Sequence, residues 1–227
     1  MNLAGTMILV NTPIAHVVNP EDRVYITTLS QWEIAMSRLL DRLKNDHKHL
    51  KCLLDRLDQE MAYYRQDESR SPKLLVILDA LDYIRTWPEH FHHPLEDRVF
   101  SMMHARSTDP ELRDVIDRVR AQHKNLEALT QKLGADFNAI VNDQVVPIET
   151  VMQDYRRYID LQLEHLACEN QFILPMIDAC LLPEDIAIID KELDDQYREM
   201  GTQQLRNEYA ELYHFVVDDQ KEISQPV

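Results

Sequence analysis

Glycine is scarce in this chain of 227 residues, which contains only three. Doubly wound α/β folds and β-sandwiches use glycine at many tight turns, so its scarcity argues against both classes of fold. Long stretches rich in Leu, Ala, Glu, Gln, Arg and Met favour helices instead. The composition therefore predicts an all-α protein.

Other features that the sequence lacks indicate in which cellular compartment we expect the protein. The three cysteines, Cys52, Cys168 and Cys180, are too few and too scattered for a disulfide framework, and they fit a reduced cytoplasm. No run of about eighteen apolar residues occurs, so we expect no membrane span. The start, MNLAGTMILVNTPIAHVV, lacks the basic region of a secretory signal. We therefore expect a cytoplasmic protein.

Basic residues are also few, with 24 Lys and Arg against 40 Asp and Glu and a formal net charge of −16. A chain this acidic gains no counterion-release energy from phosphate backbones, which argues against nucleic acid as a partner. Hydrophobic residues make up 44%, which is enough to bury one sizeable core with an appendage. A monomer and a homodimer are both compatible with this composition.

Four long segments carry the apolar periodicity of packed helices. They cover residues 31–66, 71–105, 109–140 and 147–180. Pro88 and Pro94 interrupt the second segment and predict a kink or a break there.

The connections between these segments are short and polar, which predicts an antiparallel four-helix bundle over residues 31–182. Residues 1–30 form an N-terminal extension in this interpretation. Residues 183–227 form a C-terminal extension of one or two further helices that pack on the bundle.

The bundle pattern contains an internal repeat. His47 and His123 each occupy an apolar position in the middle of a predicted helix. The next predicted helix carries His-x-x-x-Glu in both cases, as HHPLE at residues 92–96 and HLACE at residues 165–169. The chain is therefore two copies of one unit, in which a helix with one inward histidine precedes a helix with His-x-x-x-Glu.

This repeat predicts a metal centre. Residues i and i+4 lie on one face of a helix, so two such units bring four histidines and two glutamates together. A single histidine on an apolar stripe is usually a core residue, but four at matched registers favour a site. Burying these groups unpaired costs several kcal/mol, which a pair of metal ions offsets. Imidazole and carboxylate without thiolate suit iron or manganese. The candidate ligands are His47, His92, Glu96, His123, His165 and Glu169.

The order of His47, HHPLED, QHKNLE and EHLACENQFILP, over residues of roughly 35–180, resembles the hemerythrin-like proteins of the HHE cation-binding family. The resemblance implies a non-haem di-iron centre with an oxo or hydroxo bridge. It also implies that the six candidate ligands hold the irons and that Glu96 and Glu169 bridge them. Manganese, zinc or a mixed pair are alternative occupants.

The sequence departs from the oxygen-carrying hemerythrins at one place. Those carriers place His-x-x-x-His on the third ligand helix, whereas His123 is followed at i+4 by Glu127. Fewer histidines and more carboxylate favour oxidised iron, and hence turnover over reversible carriage. Glu127 or His93 could supply an additional ligand. His93 ligates if Pro94 rewinds the helix locally, and otherwise it faces solvent.

Four further residues are candidates for supporting roles. Glu89 and Asp97 could accept a histidine N–H, as histidines that bind metals usually require. Tyr155 and Tyr158 lie on the apolar stripe near the site. They are core residues or, alternatively, donors to a bound oxygen ligand.

The leading functional hypothesis is a di-iron protein that reacts with O₂, hydrogen peroxide or NO under oxidative or nitrosative stress, including catalase-like peroxide decomposition. A second hypothesis is an oxygen or iron sensor that signals through residues 184–217 to a protein partner. A third is iron delivery or iron–sulfur repair, which the absence of cysteine from the first thirty residues disfavours.

A ferritin-like di-iron oxygenase is the rival at the level of the fold. That class needs Glu-x-x-His on two helices and a lone glutamate on each of the other two. Glu89-x-x-His92 and Glu211-x-x-His214 match by letter. However, the solitary inward positions 47 and 123 hold histidine, which disfavours this class.

Overall fold

The structure is a computed structural model that describes residues 30–66 and 73–200. The predicted N-terminal extension, apart from Ser30, and the part of the C-terminal extension after residue 200 lie outside the described residues, as do Glu211 and His214. Within the described ranges all regular structure is helical and no strand occurs. The prediction of an all-α protein is therefore confirmed for this part of the chain.

The described chain forms seven α-helices and two π-helical segments. The π-helical segments are π1 (Pro88–His92), between α2 and α3, and π2 (Glu169–Ile173), directly after α5. A single 3₁₀ turn (Leu174–Met176) joins π2 to α6. The α-helices are α1 (Gln31–Gln66), α2 (Leu74–Thr86), α3 (His93–Arg106), α4 (Pro110–Val141), α5 (Ile148–Cys168), α6 (Ile177–Cys180) and α7 (Pro183–Met200).

The ends of the longest helices have local causes. Ser30 donates from both its backbone N–H and its hydroxyl to Glu33 Oε2, at 2.6 and 2.7 Å, which satisfies a free donor at the start of α1. Asp109 caps α4 by accepting the backbone N–H of Glu111 at 2.9 Å, and Pro110 takes the first helical position. The predicted break is confirmed, because α2 ends at Thr86 and π1 follows.

The buried apolar residues form two clusters, one on each side of His47 and His123 along their helices. The first apolar cluster includes Leu43, before His47, and Val119, before His123. The second apolar cluster includes residues that follow these histidines, such as Leu54 on α1 and Leu133 on α4. The histidines are therefore enclosed between two apolar regions, where a charge is stabilised less by solvent.

Helix α7 joins the first apolar cluster through Ile186 and Ile189. Arg38 of α1 holds it in place, with Nε 3.1 Å from Asp190 and a terminal nitrogen 2.6 Å from Asp194. Among the described helices, none is both long and apolar enough to cross a bilayer.

Candidate metal centre

His47 and His123 are buried because their helices bury the residues one turn before and after them. Leu43 and Leu50 flank His47 on α1, and all three side chains are at most 4% exposed. Val119 and Leu126 enclose His123 in the same way on α4. A helix that buries one stripe buries every residue on that stripe, so both imidazoles face the interior.

His92 and His93 are adjacent in sequence, yet both are buried, at 3% and 5% exposed. Consecutive residues of an α-helix are about 100° apart, so a narrow stripe rarely holds both. In π1 the His93 N–H bonds the carbonyl of Pro88, five residues back. Pro94 follows without an N–H, and its ring crowds the carbonyl four residues earlier, which favours the wider turn. The His93 side chain therefore faces inward rather than solvent, and its role as a ligand stays a prediction.

The second half of the chain repeats this local structure. In π2 the Leu174 N–H bonds the carbonyl of Glu169, again five residues back, and Pro175 follows. Each π-helical segment therefore closes one residue before a proline and adjoins a His-x-x-x-Glu motif. π-Helical turns inside α-helices are frequent at functional sites.

Glu96 lies among the histidines with no exposed surface. Its Oε1 is 3.0 Å from His47 Nε2 and 3.1 Å from His92 Nε2. Its Oε2 is 3.5 Å from His123 Nε2. The two oxygens thus face histidines from both halves of the chain.

Glu169 occupies the matching position and is also fully buried. Its Oε2 is 3.4 Å from His47 Nε2 and 3.3 Å from His165 Nε2, while its Oε1 is 3.7 Å from His123 Nε2. The structure therefore brings together all six residues that the sequence suggested as ligands.

Five of these six residues, all except Glu169, form two groups together with His93, and within each group the ligand atoms lie within 4.8 Å of one another. The first group is His47, His92 and Glu96, and the second group is His93, Glu96, His123 and His165. Glu96 belongs to both. Several buried atoms here have no hydrogen-bond partner among the described residues, namely Nε2 of His92, His93, His123 and His165, Oε2 of Glu96, and both carboxylate oxygens of Glu169. Unpaired nitrogen and oxygen atoms aimed at one another fit a pair of cations such as iron.

The outward-facing nitrogen of four histidines meets an oxygen acceptor. Acceptors of this kind place the proton on Nδ1 and leave the Nε2 lone pair facing the centre. The Nδ1-to-oxygen pairs are His47–Asn170 at 3.2 Å, His92–Asp46 at 3.2 Å, His123–Asp97 at 3.2 Å and His165–Gln122 at 3.4 Å.

The four acceptors follow one positional rule. The residue before each lone histidine (Asp46, Gln122) serves the histidine of the following motif, and the residue after each glutamate (Asp97, Asn170) serves the lone histidine of the other half. Sequence reasoning suggested Asp97 but missed the other three. A comparison of the two repeats at these positions, which hold an acid or an amide each time, could have identified them.

The pKa values reflect burial and crowding of charge. Burial opposes ionisation of Glu96, but the charge of His92 and the nearby imidazoles of His123 and His47 outweigh it and hold the Glu96 pKa well below its usual range. Burial and the charge of Glu96 raise the pKa of Glu169 to about 7. Burial lowers the pKa of His165 to about 3. Burial lowers the pKa of His92, but Glu96 and Asp46 outweigh it and raise that pKa to about 10. The two buried carboxylates thus attract positive charge, which suits cations.

The remaining candidates lie elsewhere. Glu127 is exposed and belongs to neither group, so it is not placed to be the additional ligand that the sequence suggested. The buried stripe of α4 passes through His123, Leu126 and Thr130, at i, i+3 and i+7, and Glu127 lies on the exposed edge of that stripe. Glu89 does not bond a histidine in this structure, because its side chain interacts with Thr130 instead.

Tyr155 and Tyr158 are buried on α5, and their hydroxyls have no hydrogen-bond partner among the described residues. Both rings belong to the second apolar cluster. The placement agrees with their prediction as core residues and leaves their hydroxyl groups free to meet a bound ligand or water.

Comparison with known proteins identifies one family. The model of the hemerythrin HHE cation-binding domain matches residues 38–177, which is more than half of the chain and contains both groups. No curated protein and no solved structure matches. The matched range and the two His-x-x-x-Glu motifs within it lead to one conclusion: the chain belongs to the hemerythrin HHE cation-binding family.

Proposed function

We propose that this chain is a non-haem di-iron protein that reacts with O₂, hydrogen peroxide or NO, and that its helices form an antiparallel four-helix bundle around the irons. The observation that carries the proposal is the pair of buried groups that share Glu96. Their unpaired nitrogen and oxygen atoms form a donor set without sulfur, which iron accepts.

Each residue has a definite task in this proposal. His47 and His92 would hold one iron, and His93, His123 and His165 would hold the other. Glu96, which belongs to both groups, would serve both, and Glu169 would support them from beside the groups. Iron supplies redox chemistry with small oxygen and nitrogen species when it is bound. The acceptors on Nδ1 keep each imidazole in the tautomer and orientation that binding requires. The apolar clusters keep bulk water from the centre.

His93 modifies the argument about turnover. The sequence suggested fewer histidines than in the oxygen carriers, but His93 lies in the second group and restores a nitrogen donor. The nitrogen count therefore does not separate turnover from reversible binding. Catalytic consumption of peroxide is the observation that supports an enzyme, whereas a stoichiometric spectral change supports a carrier or a sensor.

Metal content and the optical spectrum of aerobically purified protein test the proposal. We expect iron with near-ultraviolet charge-transfer bands, and we expect both to be lost in the His47→Ala/His123→Ala double variant. His49→Ala is the matched control, because His49 lies two residues from His47 on the exposed face of α1. Absence of metal from the wild-type protein, with the fold intact, would contradict the proposal.

One contact favours a sensor as the second candidate function. Arg98 of α3 pairs with Glu192 of α7 at 3.4 Å, and its neighbour Asp97 accepts the Nδ1–H of His123. A change at His123 could therefore reach α7 through two adjacent residues. A sensor would alter the protease sensitivity of α7 when iron is oxidised or a ligand binds. Unchanged cleavage in all states would exclude this role.

A further inference from the structure

A polar layer adjoins the metal centre on the side of the second apolar cluster. We define it by Glu89, Thr130, Tyr158 and Gln162. Glu89 precedes His92 by three residues, Thr130 follows His123 by seven, and Tyr158 and Gln162 precede His165 by seven and three. These offsets place all four side chains on the same side of the centre, within about two turns of it.

This layer is deeply buried and incompletely paired. Thr130 and Tyr158 have no exposed surface, and Gln162 is 1% exposed. The Tyr158 hydroxyl, Gln162 Nε2 and Glu89 Oε1 have no hydrogen-bond partner among the described residues. Thr130 lies beside Glu89 and Tyr158, but its hydroxyl donates to the carbonyl of Leu126 at 2.9 Å. Buried polar groups are nearly always paired with protein or with ordered water.

Glu89 is the acid of this layer. Burial raises the pKa of Glu89 to about 7, the nearby Thr130 hydroxyl opposes the shift, and Glu127 of α4 adds to it. Arg85 and His90 lower the pKa in turn. A carboxyl with this pKa exchanges its proton readily at neutral pH.

The charged groups that act on Glu89 are Arg85, His90 and Glu127. On this side α1 buries the apolar residues Leu50, Leu53, Leu54 and Leu57, and the same stretch of the helix also buries the charged residues Arg56 and Glu60. From α5 the layer meets Tyr158, whose pKa is raised by burial and by Glu89, so its phenol stays neutral. Glu89 is only half-buried and can therefore exchange protons with solvent.

We propose that the polar layer binds ordered water and passes protons between Glu89 and the metal centre. The proton leaves the Glu89 carboxyl, which becomes a carboxylate, moves through water held by Tyr158 and Gln162, and is replaced from solvent. Reduction of O₂ and turnover of peroxide both require proton movement at the site. This inference rests on the proposed function for its role, but the hydrated layer itself depends only on the fold.

Infrared spectroscopy of the iron-loaded protein tests the acid directly. We expect a protonated-carboxyl band that titrates near neutral pH, disappears in Glu89→Gln and changes frequency in Tyr158→Phe. Glu164→Gln is the control, because Glu164 is exposed on the same helix as Tyr158. The proton-consuming reaction should slow by at least about tenfold in Glu89→Gln and stay unchanged in Glu164→Gln.

The outcomes separate this inference from the proposed function. A titrating Glu89 band in a protein that binds no iron would support the layer and contradict the di-iron proposal. Iron binding with no effect of Glu89→Gln on band or rate would overturn the proton path. A crystal structure with the layer dry and its groups bonded to one another would overturn it as well.

Discussion

The two halves of the chain, α1 to α3 and α4 to π2, contain the same parts but differ in charge. Each half supplies a lone histidine, a His-x-x-x-Glu motif and a π-helical segment that closes before a proline. The first half supplies carboxylate acceptors, Asp46 and Asp97, whereas the second supplies the amides Gln122 and Asn170. The repeat thus preserves position while the outer residues vary in charge.

The acids of the first half are themselves held by arginine. Asp46 lies 2.8 Å from Arg42 Nε, and the Arg42 guanidinium stacks on Trp87 at 4.3 Å. Asp97 lies 3.4 Å from Arg120 Nε. Both acceptors of the first half thus have an arginine beside them.

Each half supplies the acceptor for the lone histidine of the other half. The difference between acids and amides therefore does not separate the two groups of candidate ligands. The first group has one carboxylate-backed histidine, His92, and one amide-backed histidine, His47. The second group has His123 and His165 in the same relation, and adds His93. The comparison therefore teaches that one extra histidine, rather than the acid and amide pattern, makes the two proposed metal positions unequal.

Substitution of Glu96, the carboxylate shared by the two groups, is expected to have the largest effect on metal affinity. Glu96→Gln removes an anionic oxygen from both groups, so both cations should bind at least about a hundredfold more weakly. Glu169→Gln should weaken binding less, because Glu169 lies outside both groups. Metal titration monitored by calorimetry measures the difference. Equal losses of metal affinity in the two variants would contradict the prediction that Glu96 serves both metal positions.

Removal of the adjacent histidines should separate the two groups. His92→Ala leaves one histidine in the first group, and that position should lose its cation. His93→Ala leaves the second group with His123, His165 and Glu96, so it should keep its cation with about 10- to 100-fold lower affinity. The number of metal ions bound per chain after dialysis measures the outcome. Full retention of affinity in His93→Ala would mean that His93 does not bind.

Exchange of acids and amides tests the contrast between the halves. The Asp46→Asn/Asp97→Asn variant should lower metal affinity by about 10-fold and raise the reduction potential, because the imidazoles lose electron donation. The reciprocal Gln122→Glu/Asn170→Asp variant should lower the potential. Voltammetry of the loaded proteins gives both values. Shifts of the same sign would contradict the assigned role.

Replacing the proline that follows π1, which restores a backbone N–H, should have the smallest effect on metal affinity. Pro94→Ala permits an α-helical turn in π1, which would rotate His93 from the interior and weaken the second group by a few-fold, roughly 0.5 to 1 kcal/mol. Pro175→Ala should leave affinity unchanged, because Glu169 is the first residue of π2 and rewinding that turn would rotate only the residues after it. Cobalt(II) spectra compare the two sites. A larger loss in Pro175→Ala would refute the explanation.

The helices could be predicted because their cause is local. Apolar residues at helical spacing and clear caps located α1 and α4 to within one residue. The same periodicity predicted that the six candidate ligands lie together, since a histidine that interrupts a buried apolar stripe must face the interior. Their binding of metal stays a prediction. The antiparallel arrangement itself stays a prediction.

The rest depended on geometry that periodicity does not contain. Whether Asp46 and Gln122 meet a histidine depends on the rotation of one helix against its neighbour. The inward position of His93 depends on a turn wider than an α-turn, and a helical pattern assumes α-turns throughout. Glu127 was suggested by a spacing that the actual stripe of α4 does not follow.

The π-helical segments have a consequence for chain length. A π turn holds about one residue more than an α turn over a similar rise, so it is equivalent to a one-residue insertion that the helix absorbs. Deletion of one exposed residue from π1, such as His90, could therefore be accommodated by a return to α geometry without moving α2 or α3 apart. The register of this ligand helix thus tolerates a change that would misalign an ordinary α-helix by a full 100° or so.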